Sequence, residues 1–281
     1  MTDLSKFSLD YAVPADDLKE LISSFYLFQA DIDDTRQSER ADRAQFRFLL
    51  AGGGGYEFCD GHYMDSAAVT IIGPTTGPTT GIIKGPLEIF GAGLQPAGWG
   101  ALMGGEAEKY INRLIDATAI FGTGLLDVHA ALGAAASLAE KVAIGNDFTR
   151  GLLAGADASP LWFTRIVDGW LIAGPSPRLD DLIAQTGLSN RQVERMTKRF
   201  YGASPKLLAR KYRALRAASA LVRNEQVDDG FYDQSHLIRE IKQFTGFTPG
   251  KMRKQTEPLT RATTERRKLL SGEVNPLISD T

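Results

Sequence analysis

The chain has 281 residues, 43% of them hydrophobic and 23% charged, which fits about two globular domains and excludes a disordered or fibrous protein. Its one cysteine, Cys59, excludes an internal disulfide framework. The net charge of −2 hides a division: residues 1–175 carry 12 Lys/Arg against 22 Asp/Glu, residues 176–255 carry 16 against 8, and residues 256–281 carry 4 of each. A basic segment on an acidic body is the footprint of a nucleic-acid-binding domain tethered to a domain of another kind.

The opening MTDLSKFSLDYAVPADDLKE lacks the cationic start and apolar core of a secretory signal, so a cytoplasmic protein is expected. DDLKELISSFYL, from Asp16, predicts a short amphipathic helix running into a strand. QFRFLLA, YEF, AAVTIIG and LEIFGAG then read as short strands of a small sandwich or barrel, separated by Gly52–Gly55 and by the Gly73-Pro74 and Gly77-Pro78 turns. Between about Gly100 and Leu153 helical spacing takes over, with Ala101, Leu102, Ile111, Leu114, Ile115, Leu125 and Val128 on the apolar side of two or three helices. The Ala-rich stretch from Gly122 to Gly145 is broken by Asp127, His129, Glu140 and Lys141, so no membrane partner is expected. Gly174-Pro175-Ser176-Pro177 reads as a linker at a domain boundary.

The next section is helical and punctuated by caps. Leu179 to Thr186 is a short helix stopped by Gly187. Ser189 and Gln192 form a capping box for a helix to about Tyr201, stopped by Gly202. Ser204-Pro205 opens a third helix with an N-cap and a proline in its first turn. Helix, short turn, helix is a DNA-binding geometry.

This unit has an echo at an offset of 44 residues. Lys198-Arg199-Phe200-Tyr201-Gly202-Ala203-Ser204-Pro205 returns as Lys242-Gln243-Phe244-Thr245-Gly246-Phe247-Thr248-Pro249, and Ser189 falls on Asp233, a second good N-cap. The repeat predicts two recognition-type helices joined by a long helix, spaced to enter successive major-groove segments. On the first, Arg191, Glu194 and Arg195 face away from Val193 and Met196; on the second, Gln234, Ser235 and Arg239 are equivalent. These six are the candidates for contacting base edges, because arginine can donate twice to guanine and glutamate can accept from cytosine. Ser189, Lys198, Arg199, Lys206 and Lys242 are the candidates for phosphate contacts.

LSNRQVERMTKRFYGASPKLLARKYRALRAA, followed by GFYDQSHLIREIKQFTGFTP, resembles the C-terminal region of AraC/XylS-type transcription regulators over roughly the last 100 residues. The resemblance implies a DNA-binding domain at 159–255 with two helix-turn-helix units, a cupin-like sensing or dimerising domain at 1–158, and a flexible tail at 256–281. The fold class implied is α+β: a small β-sandwich or barrel with following helices, then an all-α domain. It implies double-stranded DNA as partner and an activator's role, with a small-molecule effector at the N-terminal domain, RNA polymerase and a second copy of the chain as further partners. Two departures stand out. Position 197 is threonine where the family places a core phenylalanine, for which Phe200 is a partial substitute; and LVRNEQVDDG, with Asp228-Asp229, replaces the apolar first helix of the second unit. That loss keeps open an alternative, a regulator acting mainly through protein or ligand contacts with weakened DNA binding.

No catalytic constellation emerges. The histidines are His62, His129 and His236, Cys59-Asp60-Gly61-His62 reads as a hairpin turn, and no phosphate-binding loop accompanies the glycines. Neither enzyme activity nor a cofactor or metal is expected.

Overall fold

A computed structural model describes residues 6–32, 34–155, 161–227, 230–254 and 258–281. Eight strands form the N-terminal sheet: β1 Phe7–Ala12, β2 Ile22–Ala30, β3 Thr35–Glu39, β4 Gln45–Phe58, β5 Tyr63–Asp65, β6 Val69–Ile72, β7 Thr79–Leu94 and β8 Leu114–Asp116. They pair antiparallel in the order β1-β2-β7-β4-β6-β8, with β3 added to β7 and β5 to β4. The alternation read from QFRFLL sorts side chains onto two faces. Phe25, Phe46, Phe48, Phe90 and Ala92 turn to one core, whereas Leu9, Tyr26, Phe28, Leu87 and Ile89 turn to the other. The first is covered by α1 Pro96–Met103, α3 Leu125–Ala134 and α4 Leu138–Leu153. The second lines a hollow.

Local expectations failed in three places here. The predicted helix from Asp16 is only a 3-10 turn, Asp16–Leu18, because Ile22 onward is taken up by β2 in register with β1 and β7. Gly52–Gly55 do not separate two strands but sit inside β4, where the register against β7 shifts. At Gly54, φ is +135° and a Cβ would lie 1.8 Å from the carbonyl oxygen of Ile82, so the close approach of the strands requires glycine. Leu114 and Ile115, expected in a helix, form β8 on the edge of β6; the four-residue α2, Thr118–Phe121, follows.

The C-terminal elements are α5 Leu161–Ile172, α6 Leu179–Thr186, α7 Asn190–Tyr201, α8 Pro205–Val222, α9 Gln234–Thr245 and α10 Pro249–Arg253. Phe163, Val167 and Leu171 of α5 share a core with Leu182, Val193, Phe200 and Leu208. The 174–177 linker therefore joins two helices of one core. The expected boundary between residues 158 and 159 falls outside the described residues. Beyond α10, α11 Pro258–Lys268 packs on β1 and β3, and α12 Pro276–Ser279 packs on α5. Leu259, Leu270, Leu277 and Ile278 are buried there, which corrects the expectation of a flexible tail over these residues: the apolar positions find cover on the sheet and on α5. Among the described residues no helix is long and apolar enough to cross a membrane.

Candidate nucleic-acid interface

The first unit is assembled from its caps inward. Ser189 accepts from the backbone of Gln192 while the Gln192 side chain returns to the Ser189 amide at 2.9 Å, satisfying amides that the first turn of α7 leaves open. Gly187 and Gly202 close α6 and α7 with φ of 66° and 74°. Leu182 and Val193 are fully buried between the two helices. Thr197 is fully buried as well, its hydroxyl donating back to the carbonyls of Val193 and Glu194 at 3.0 Å. Its own backbone satisfies the hydroxyl, so threonine is tolerated at this core position; Phe200 is buried in the same core.

The second unit keeps its recognition-type helix and loses its brace. Asp233 caps α9 by accepting from the His236 amide at 2.7 Å, and Gly246 ends it with φ 80°. No helix lies between Val222 and Asp233 among the described residues, to which Asp228 and Asp229 do not belong. Val227 and Phe231 instead lie against Ala218, Leu221 and Ile241. A compensating contact was not foreseen. At the position where α7 has Met196, α9 has Glu240, whose side chain is 2% exposed. It accepts from Arg210 of α8 at 2.7 and 3.1 Å and lies 3.6 Å from Arg213. An ionic clamp thus holds α9 to the linking helix. The signal was present in the sequence as a carboxylate on the apolar stripe of Leu237, Ile241 and Phe244, with an Arg pair three residues apart on the preceding helix.

Arg191, Glu194 and Arg195 are exposed on α7, and Gln234, Ser235 and Arg239 are exposed on α9. The basic candidates have different fates. Lys198 pairs with Glu194 at 3.3 Å. Arg199 donates to the carbonyl of Gly104 at 3.0 Å, so it holds α7 against the N-terminal domain. Ser189 is engaged in its cap. Lys242 is exposed, and Lys206 is exposed on the rim of a groove of about 730 Å³ that it shares with Arg239, His236, Arg210 and Arg213. The groove joins the start of α6 to α9 and is predominantly basic, because Glu240 is its one carboxylate.

The N-terminal domain grips this framework through the 40–43 loop. The Ala41 amide donates to the Phe244 carbonyl of α9 at 2.7 Å. Arg43 binds Asp168 of α5 and Tyr212 of α8, as well as Gln95. Lys211 of α8 donates to the carbonyls of Asp42 and Thr75 at 2.6 and 2.8 Å; burial pushes its ammonium down to about 7, against the nearby Asp42, which favours the charged form. Cys59–His62 form the β4–β5 hairpin turn, with Asp60 bound to Arg113 at 2.7 Å. No group of residues suited to a metal ion occurs among the described residues.

Residues 182–255 match the family model described as a helix-turn-helix domain. The match identifies a helix-turn-helix domain in this segment, which holds α7, α8, α9 and α10. The chain is similar over 88% of its length to a crystal structure of ToxT from Vibrio cholerae O395, of which 96% is covered, at 8% identity and a TM-score of 0.45. It is also similar to the AraC-like transcriptional activator CuxR, at 12% identity, 75% and 87% coverage and a TM-score of 0.31. An RmlC-like cupin protein from Desulfovibrio desulfuricans matches 33% of this chain and 85% of its own, at 11% identity and a TM-score of 0.25. No curated protein matches the sequence.

Proposed function

We propose that the protein binds specific DNA sites by presenting α7 and α9 to the major groove and regulates transcription there, with a small-molecule effector at the N-terminal domain. The observation carrying this reading is the pairing of two capped helices, each with polar side chains on its exposed face, on one linking helix. At 1.5 Å per residue α8 is about 27 Å long, commensurate with the roughly 34 Å that separates successive major grooves on one face. Arg191, Glu194 and Arg195 read bases from α7; Gln234, Ser235 and Arg239 do so from α9. Lys198, Lys206 and Lys242 serve phosphates, whereas Arg199 serves the domain contact first. The rival reading, a regulator with weakened DNA binding, takes its force from the missing helix before Asp233. The Glu240 clamp removes most of that force, since α9 is held without it.

Fluorescence anisotropy with the gene's own upstream DNA and with random DNA, over a salt series, tests the proposal. Specific binding at least about a thousandfold tighter than random, with a steep fall as salt rises, is expected. Equal affinity for both DNAs with no salt slope would overturn it.

A further inference from the structure

We infer that α11 is an intramolecular lid on the hollow face of the N-terminal sheet, competing for it with a neutral small molecule that has both apolar and hydrogen-bonding parts. The inference rests on the reading of this domain as the effector domain and supplies its regulation. The hollow face of the sheet is walled by Leu9, Phe28, Ile83, Leu87 and Ile89 on one side and by polar groups including Gln45 and Arg47 on the other, a mixed concavity of the kind ligands occupy. Leu259 from α11 joins that cluster and is 9% exposed. Leu259, Thr260, Thr263 and Arg267, one stripe of α11 at helical spacing, all line the cavity. What remains free is a cavity of about 70 Å³, far below the roughly 300–1,000 Å³ of sites that hold drug-sized ligands. Seating such a ligand requires the lining to give way, and the α11 stripe is one wall of it.

The lid has a polar latch. Arg267 donates to Asp42 at 2.6 Å and to the Tyr11 hydroxyl at 3.2 Å, and Arg40 donates to the Thr281 carbonyl at 3.0 Å. The closed state leaves two buried atoms in the lining without partners, Arg40 Nε and Thr260 Oγ1. A guest with a hydrogen-bonding group can satisfy Arg40 once α11 leaves. Charge selects the guest's class. With Arg267 gone, Arg40 and Arg47 in the lining balance Glu39 and Asp42, so a neutral molecule enters without creating a net buried charge. Asp42 belongs to the same loop whose Ala41 amide holds the Phe244 carbonyl of α9 and whose own carbonyl holds Lys211 of α8. Release of the latch therefore reaches both the linking helix and the second recognition-type helix.

The test titrates the full-length protein with N-phenylnaphthylamine, a neutral apolar fluorophore, and with its sulfonate, anilinonaphthalenesulfonate. R267A, which unlatches the lid, and L259S, which removes its apolar plug and spares the latch, are compared with wild type. Both variants are expected to bind the neutral probe at least about fivefold more tightly and to be cut faster by trypsin at Arg261 and Arg266. Adding I83F to R267A, to fill the hollow, is expected to cancel the gain. Equal probe affinity in wild type and both variants, with faster cleavage of the variants, would overturn the lid while leaving the hollow a binding site. Absence of probe binding in every form would overturn the effector-domain reading along with it, and preference for the sulfonate would overturn the neutral class of ligand.

Discussion

Removing the Glu240 carboxylate should loosen α9 from α8 and weaken the whole domain. The side chain accepts two hydrogen bonds from Arg210, at 2.7 and 3.1 Å, and has Arg213 at 3.6 Å and His236 at 3.8 Å. Charge-assisted bonds contribute about 1.5–3 kcal/mol each and breaking a buried ion pair costs about 3–5 kcal/mol. The Arg210 side chain is 34% exposed and regains water when its partner goes, which places Glu240→Ala at the low end, about 2–3 kcal/mol. Glu240→Gln keeps the shape and one acceptor, so about 1–2 kcal/mol is expected. Burial works to raise this carboxyl's pKa, but the bond and charge of Arg210 outweigh it and hold the group below its usual value. The clamp's contribution is thus present above the unfolded carboxylate range of about 4.3 and is lost as pH falls through the lower folded value. Urea denaturation measures the loss, and hydrogen exchange of the α9 amides locates it. A Glu240→Ala protein within about 0.5 kcal/mol of wild type, with α9 exchange unchanged, would refute the clamp.

Arg195→Ala is expected to reduce discrimination between specific and random DNA by about 1–3 kcal/mol, whereas Lys198→Ala should weaken both alike and lower the salt slope by about one; matching effects in anisotropy titrations would sink the base-reading assignment. Thr197→Phe, which places there the aromatic residue of the AraC/XylS-type regulators that the segment resembles, should destabilise by about 1–3 kcal/mol because the site is closed around a smaller side chain; a raised Tm would count against that packing. Lys211, buried and pushed down to about 7, binds fewer protons folded than unfolded between that value and the ordinary lysine range. Stability should therefore rise with pH across that window, at up to about 1.4 kcal/mol per unit. Lys211→Met should flatten the rise, and parallel pH profiles for the two proteins would contradict it.

The recognition-type helices were legible because their information is local. A serine three residues before a glutamine, a glycine that accepts positive φ, and a proline that fits the first turn act within one helical turn. Their structural consequences appear at Ser189, Gly187, Gly202 and Ser204. The sheet was legible as alternation and illegible in its pairing. Gly52–Gly55 have the composition of a loop, and pairing with β7, joined by β5 at Gly55, keeps them in a strand. Leu114 and Ile115 fit a helix as well as a strand, and the open edge of β6 decided between them.

By itself, then, the sequence determined that two capped helices recur 44 residues apart on a basic segment, because caps and charge depend on neighbours along the chain. Only the tertiary structure decided what holds them. Glu240 meets Arg210 across 30 residues, Ala41 meets Phe244 from the other domain, and Arg267 meets Asp42 across 225. Arg199 shows the difference most directly. A basic residue in the last turn of such a helix suits a phosphate, and it is the position of Gly104, brought there by the sheet and α1, that turns it to a domain contact. Such pairings join residues with no local preference for each other, and their strength comes from burial that exists only once both domains are folded.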